Sequence, residues 1–123
     1  MANKLIMSIP YLCVIIINYN SGECLSRCLA ALELQTYNDF EVIVVDNNST
    51  DNSIKSLKNL PSYFKIIKNE NNMGFASANN LAVRKSQSSW IALLNPDAFP
   101  EPQWLEKLVV AINEYPKFKS FAS

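Results

Sequence analysis

Asparagine and aspartate side chains follow four apolar segments of this sequence, at the point where each segment ends. The polar groups are Asn18-Tyr19-Asn20, Asp46-Asn47-Asn48-Ser49, Asn69-Glu70-Asn71-Asn72 and Asn95-Pro96-Asp97. Amide and carboxylate oxygens accept hydrogen bonds, and Mg²⁺ and Mn²⁺ prefer oxygen ligands. Ligands of open α/β sheets bind at the carboxyl ends of the strands, so these groups indicate a polar binding site at one sheet edge.

A structural role for these residues stays open, because Asn and Asp also favour turns and helix caps. None of the four segments ends in a Gly-rich turn, and Gly22 and Gly74 are the two glycines of the sequence. That excludes both a G-x-G-x-x-G dinucleotide loop and a P-loop. If a nucleotide binds here, a divalent metal ion would be the natural means of neutralising its phosphates.

The composition excludes several classes of function. The 11 basic and 11 acidic residues cancel, so no basic field indicates nucleic acid or an anionic membrane. The absence of histidine excludes Ser-His-Asp and Cys-His catalysis within the chain. Three cysteines, Cys24 and Cys28 among them, are too few for a zinc site, and we expect reduced thiols in a cytoplasmic core. Ser8 and Pro10 interrupt the apolar N-terminal stretch, so we expect neither a signal peptide nor a transmembrane segment.

The elements that position the polar groups follow from the hydrophobic pattern. Short apolar runs rich in β-branched residues predict parallel strands over 12–17, 42–45, 64–67 and 90–94. Helical spacing predicts four helices, with the following apolar faces: Leu25, Cys28, Leu29 and Leu32; Ile54, Leu57 and Leu60; Phe75, Ala78 and Ala82; Leu105, Leu108, Val109 and Ile112. Asn20 and Glu23 predict a capping box for the first helix. Residues 118–123 could begin a further strand. We expect one domain, with the first and fourth strands adjacent and with Tyr19, Asp46 and Asp97 around one crevice.

Several segments resemble family 2 glycosyltransferases and occur in that family's order. Residues 14–20 resemble its opening strand, Gln35-Thr36-Tyr37 with 41–51 its next segment, 72–80 its third helix, and 93–98 its metal-binding DxD region. The resemblance covers nearly the whole chain from about Leu12. It implies an α/β fold of GT-A type, a Rossmann-like and mostly parallel sheet flanked by helices, here truncated.

The resemblance also implies roles for individual residues. Tyr19 would lie against the base or ribose of a nucleoside-diphosphate sugar, and Asp46 would accept the imide N–H of uracil or thymine. Asp97 would hold a divalent cation, Mg²⁺ or Mn²⁺. The other implied substrate-binding residues are Asn18, Asn20, Asn47, Gly74, Asn79 and Asn95.

Two positions depart from the family's pattern. Asn95 stands where the family often has Asp, which leaves one charged ligand, although Asn-Pro-Asp occurs in rhamnosyltransferase-like relatives. Pro96 would stiffen the loop that presents Asp97. Ala82 stands where relatives often carry Gly.

The implied reaction is inverting transfer from a UDP- or dTDP-sugar to a polysaccharide or other glycan acceptor, lipid-linked glycans included. The family's catalytic base lies in a later part of the fold, and we expect no catalytic residue in this chain; Glu101, Glu106 and Glu114 are expected to be solvated. Residues 1–123 would form one partial domain, the donor-binding half. We expect it in the cytoplasm or peripherally at the inner membrane face, and an unpaired sheet edge near Ser123 would favour a homodimer.

Three other interpretations stay open. A non-catalytic relative would bind the nucleotide without transferring sugar. A nucleotidyltransferase usually carries a Gly-rich basic loop after its first strand, which residues 18–22 lack. A purely structural flavodoxin-like domain would leave the polar edge unexplained.

Overall fold

Four β-strands form the centre of the computed structural model, which describes residues 9–120. They are β1 (Leu12–Asn18), β2 (Phe40–Asp46), β3 (Phe64–Lys68) and β4 (Trp90–Leu93). Their order in the sheet is β3-β2-β1-β4, and every neighbouring pair is parallel. Each residue of β1 and β2 is buried, because these central strands are covered on both faces. The predicted parallel sheet, with the first and fourth strands adjacent, is confirmed.

Within residues 9–120, three helices cover the two faces of the sheet. They are α1 (Glu23–Glu33), α2 (Phe75–Lys85) and α3 (Trp104–Glu114). The apolar stripes of α1 and α3 pack on one face, which includes Val14 and Val42. Ala78 and Ala82 of α2 pack on the other face. Phe75, which the sequence placed on the buried stripe of α2, is instead 61% exposed at the helix start.

The helix expected around Ile54, Leu57 and Leu60 does not form. The segment consists of turns and bends, in which the Ser56 N–H donates to the Asn52 carbonyl and the Leu57 N–H to the Ile54 carbonyl. Local side chains offer the backbone other partners, because the Asp51 carboxylate accepts the Ser53 N–H. The three apolar side chains still pack against the core, so helical spacing identified the buried face but not the backbone conformation.

The strand register brings the polar groups to one edge. Asn18, the last residue of β1, lies beside Asp46, the last residue of β2, which in turn lies beside Lys68 of β3. β4 ends at Leu93, beside Ile15. The loops after all four strands therefore leave the sheet at its carboxyl edge.

A buried carboxylate at the opposite end of the sheet was not anticipated from the sequence. Glu41 of β2 accepts hydrogen bonds from the hydroxyl groups of Ser86 (3.2 Å) and Ser88 (2.9 Å). It also lies 3.7 Å from the Nζ atom of the exposed Lys65. These contacts fasten the segment after α2 to the sheet just before β4 begins.

The cysteines are free thiols, as the composition suggested. Cys13 and Cys28 are buried, and Cys24 is partly buried. Burial raises the pKa of Cys13 to about 11 and that of Cys28 to about 12, because a thiolate is poorly solvated in the apolar core. Both side chains therefore act as small apolar groups near neutral pH.

The chain ends bear on two of the sequence predictions. Residues 118–120 form no strand, and the remainder of the expected strand lies outside the described residues, as do Ser8 and the sheet edge expected near Ser123. Across residues 9–120, no helix has both the length and the apolar character needed to cross a bilayer.

Candidate functional site

The Asp46 carboxylate lies at the end of β2 and is held by its neighbours. Its Oδ1 atom accepts hydrogen bonds from the Asn18 side-chain amide (2.8 Å) and the Ser49 hydroxyl (2.6 Å). Its Oδ2 atom accepts the Ser49 backbone N–H at 3.2 Å. Asp46 is only 6% exposed and Asn18 is fully buried. The hydrogen bond from Asn18 thus orients the carboxylate. Oδ2 can accept a further hydrogen bond, because a carboxylate oxygen has more than one lone pair and Oδ2 accepts only the Ser49 N–H.

The loop after β1 presents Tyr19 to solvent. Tyr19 is 50% exposed and lies between two fixed points. On one side, the Asn18 carbonyl accepts the Asn47 N–H at 2.9 Å. On the other side, the Asn20 N–H donates to the Ser49 hydroxyl at 2.9 Å. Its backbone is therefore anchored to the loop after β2, while its ring is available to a ligand.

The predicted capping box is wrong. α1 begins after Gly22, and no side chain caps its N-terminus. The Asn20 side-chain oxygen instead accepts the backbone N–H groups of Thr50 (2.8 Å) and Asp51 (3.2 Å). Asn20 adopts a φ of 51°, a left-handed conformation that asparagine tolerates better than most residues. This conformation lets it cap the neighbouring loop rather than its own helix.

Asp51 and Ser53 were missed by the sequence reasoning. One Asp51 oxygen accepts the Ser53 N–H and hydroxyl, and the other accepts the Gly22 N–H at 2.9 Å. These hydrogen bonds hold the pKa of Asp51 below its ordinary value, those from Ser53 having the largest effect. The buried Ser53 hydroxyl also accepts from Asn18 at 2.9 Å. The available signal was the spacing of Asp46, Ser49, Asp51 and Ser53, which is typical of local side-chain-to-backbone turns.

Asn47 connects the next two loops of the edge. Its side-chain oxygen accepts from the Asn69 amide at 3.0 Å, and its own amide donates to the Gly74 carbonyl at 3.2 Å. Gly74 has a φ of 86° and immediately precedes α2. The loops after β2 and β3 and the start of α2 are thereby joined.

Asp97 lies in a tight turn after β4. The Ala98 N–H donates to the Asn95 carbonyl at 3.0 Å, and Pro96 occupies a turn position that its fixed φ favours. Asn95 and Asp97 are both exposed. Within residues 9–120, no side chain or backbone group donates a hydrogen bond to the Asp97 carboxylate. The turn thus presents an uncommitted negative charge at the carboxyl edge.

Helix α1 and the residues that follow it hold this turn in place. The buried Gln35 side chain donates to the Glu101 carbonyl (2.7 Å) and accepts the Leu105 N–H (3.0 Å). The Thr36 N–H donates to the Pro102 carbonyl at 2.9 Å. The Arg27 guanidinium lies 4.4 Å from the centre of the Phe99 ring, a cation–π contact.

A cavity of about 350 Å³ opens between α2 and the turn after β4. Asn79 and Asn95, two of the residues implied by the resemblance, line it together with the aromatic rings of Phe75, Phe99 and Trp104. Tyr19, Asp46 and Asp97 are not among its lining residues. The predicted residues therefore divide into a hydrogen-bonded group after β1 and β2 and a cavity group beside β4, and Asp97 belongs to neither group.

Whether these residues suit a divalent cation depends on Asp97. In the described part of the chain, no three His, Cys, Asp or Glu side chains lie close enough to form a metal cage. Mg²⁺, however, is often held by one or two carboxylates together with substrate phosphates. An exposed carboxylate without protein partners fits such a site and does not fit a site built from protein ligands alone.

Together, the sheet order and its polar carboxyl edge define a Rossmann-like α/β domain of the kind that binds ligands beyond its strand ends. Residues 13–118 match the family model described as Glycosyl transferase family 2. The chain belongs to this family, as the resemblance of its motifs predicted.

Three relatives illustrate the similarity. The glycosyltransferase AglE of Haloferax volcanii is 32% identical, with 86% of this chain and 36% of AglE covered. S. aureus TarS residues 1–349, solved with UDP-GlcNAc, superpose with a TM-score of 0.78 at 24% identity, covering 85% of this chain and 32% of that one. A mannosyltransferase from Pyrobaculum calidifontis, solved with GDP-Man and Mn²⁺, superposes with a TM-score of 0.73 at 24% identity. The superposition covers 86% of this chain and 33% of the mannosyltransferase. The fold is thus of GT-A type, and the chain spans about a third of the length of these relatives.

Proposed function

We propose that this chain is the donor-binding part of a glycosyltransferase that uses a UDP- or dTDP-sugar. The observation that supports this most is the Asp46 carboxylate, whose Oδ1 is committed to Asn18 and Ser49 while Oδ2 accepts a single backbone N–H. Uracil and thymine carry an imide N–H, and a carboxylate oxygen accepts such a donor strongly. Asp46 would therefore favour these bases over cytosine, whose N3 atom is an acceptor at the same ring position.

The arrangement of the strands supports an orientation of the bound nucleotide, with its base near β2 and its diphosphate near β4. Tyr19 follows β1, beside Asp46 of β2, and its half-exposed ring would stack on the base or ribose. Asp97 follows β4, on the other side of β1. Neighbouring strands are about 4.8 Å apart, so β2 and β4 are separated by about 10 Å. A nucleoside held at Asp46 could thus extend its diphosphate toward Asp97.

Asp97 would hold Mg²⁺ or Mn²⁺ together with the diphosphate oxygens. When bound, the cation would supply positive charge that stabilises the departing nucleoside diphosphate. The cavity lined by Asn79, Asn95 and Phe99 would receive the donor sugar. Its aromatic walls and amide groups suit the apolar faces and hydroxyl groups of a pyranose.

Transfer itself would need the rest of a longer protein. Glu101, Glu106 and Glu114 are exposed, and we assign none of them as the catalytic base. We propose inverting transfer in the cytoplasm to a glycan or lipid-linked glycan, with residues 1–123 forming the donor-binding portion of one domain. The Asn-Pro-Asp turn makes a dTDP-deoxysugar such as dTDP-rhamnose a donor to include in the assays.

Calorimetric titration tests this proposal. UDP, dTDP, CDP and GDP would be titrated into the protein with Mn²⁺ and, separately, with a chelator. We expect UDP or dTDP to bind best, and binding to weaken when the metal is removed. Absence of binding by all four nucleotides at millimolar concentrations would overturn the proposal. Nucleotide binding by a complete protein that transfers no sugar from any donor would favour the non-catalytic module.

A further inference from the structure

The loop that carries Tyr19 is held in an uncommon backbone conformation by residues of the loop after β2. Asn20 has a φ of 51° and Gly22 a φ of 59°, so the backbone turns sharply on both sides of Ser21. Asparagine tolerates this conformation better than most residues, and hydrogen bonds with neighbouring residues fix it here. These neighbours are Ser49, Thr50 and Asp51.

Two series of hydrogen bonds join the loops. In the first, the Asn20 N–H donates to the Ser49 hydroxyl, which donates to Asp46 Oδ1. In the second, the Asn18 amide donates to the Ser53 hydroxyl, which donates to Asp51. Because the buried Asn18 amide donates both to Asp46 and to Ser53, it links the two series of hydrogen bonds. Linked hydrogen bonds of this kind polarise and strengthen one another.

Asp51 connects the second series of hydrogen bonds to the loop after β1. Its Oδ2 atom accepts the Gly22 N–H at 2.9 Å, while its other oxygen is occupied by Ser53. The Gly22 contact lies three residues beyond Tyr19, on the solvent side of the loop. Loss of this acceptor would remove the hydrogen bond at Gly22 and loosen that end of the loop after β1, while the hydrogen bonds at Asn18 and Asn20 would remain.

We propose that Asp51 is a positioning residue: by accepting the Gly22 N–H it holds the loop of Tyr19 against the loop of Asp46, so that the aromatic ring and the carboxylate address the same nucleobase. The inference rests on the proposed function, since it concerns how the donor nucleotide is bound. Asp51 itself would not touch the nucleotide. It acts by reducing the freedom that the Tyr19 loop must lose when the ligand binds.

The test is a double-mutant cycle between Asp51 and Tyr19, measured as UDP affinity with Mn²⁺ on the full protein. We expect Asp51→Ala to weaken UDP binding roughly 3- to 10-fold. In a Tyr19→Ala background the same substitution should change the affinity less than about 1.5-fold, because the positioned ring is absent. The matched control is Asp39→Ala: Asp39 is exposed and directly precedes β2, at the opposite end of the sheet, so its replacement should leave the affinity unchanged.

A more conservative variant, Asp51→Asn, tests the same contact if Asp51→Ala fails to fold. Asp51→Asn has one acceptor oxygen, which can serve Ser53 but not Gly22 at the same time. It should accelerate hydrogen exchange at the Gly22 amide and weaken UDP binding roughly 2- to 5-fold, and this loss too should vanish in the Tyr19→Ala background.

The outcomes separate the inference from the function on which it rests. If the wild-type protein binds UDP and both Asp51 variants bind it equally well, or if their losses persist in the Tyr19→Ala background, Asp51 does not act through Tyr19 and only the inference fails. If the wild-type protein binds no nucleotide, the proposed function fails, and the inference fails with it.

Discussion

Replacing Asp46 by asparagine should invert the nucleotide preference of the site. In the wild type, Oδ1 accepts from Asn18 and Ser49, and Oδ2 is the oxygen available to a base. In the Asp46→Asn variant, the two donors at Oδ1 would force the remaining side-chain oxygen into that position. The amide nitrogen would then take the place of Oδ2, so the site would present a donor where it previously presented an acceptor.

The size of the effect follows from the bond that is lost. Hydrogen bonds to a charged group contribute about 1.5–3 kcal/mol, which corresponds to roughly 10- to 150-fold in affinity. UDP affinity should fall by that factor, because the uracil imide N–H would meet an N–H. CDP affinity should stay the same or rise, because cytosine presents an acceptor at the same ring position. The lost Ser49 N–H bond should also lower the free energy of unfolding by about 1 kcal/mol.

Calorimetry with UDP and CDP in the presence of Mn²⁺ measures this change. Asp39→Asn makes the same chemical substitution at an exposed position before β2 and should leave both affinities unaltered. Urea unfolding of each variant confirms that the site is compared between folded proteins. An unchanged ratio of UDP to CDP affinity in Asp46→Asn would refute the assignment of Asp46 Oδ2 to the base.

Three further predictions concern other parts of the chain. Asp97→Ala should remove the Mn²⁺-dependent part of UDP binding and leave binding in chelator unchanged or slightly stronger; calorimetry showing intact metal dependence would contradict Asp97 as the ligand. Glu41→Ala should lower the free energy of unfolding by about 1.5–3 kcal/mol, since it removes a buried acceptor of two hydroxyl groups, and Glu41→Gln should lower it less, as urea unfolding can measure. The pKa values of Cys13 and Cys28 are raised to about 11 and about 12 from 9.0, so the unfolded chain loses its thiol protons at lower pH than the folded protein does. The urea midpoint should therefore fall as the pH rises above about 9. A midpoint that is constant from about pH 8 to 10 would contradict this.

Much of the fold could be predicted from hydrophobic pattern alone. The β-branched run of β1 produces the predicted strand because both of its faces are buried, and the apolar spacing around Leu29 produces α1 because one helix face packs on the sheet. The helix predicted around Ile54 does not form, and the reason is local. Its apolar spacing is helical, but the Asp51 carboxylate accepts the Ser53 backbone N–H and hydroxyl, and the segment forms turns instead of a helix.

The sequence by itself determined which residue types stand after each strand, and hence that Asp46 and Asp97 would both follow strands at the carboxyl edge of the sheet. Only the tertiary structure decided which hydrogen bonds the neighbouring asparagines make. Asn18 and Asn20 look alike in the sequence, yet one is buried beneath Asp46 and the other caps the loop before Asp51. The physical reason is that these hydrogen bonds join residues about 30 positions apart, and the parallel register of β1 and β2 brings such partners together only after the sheet has formed.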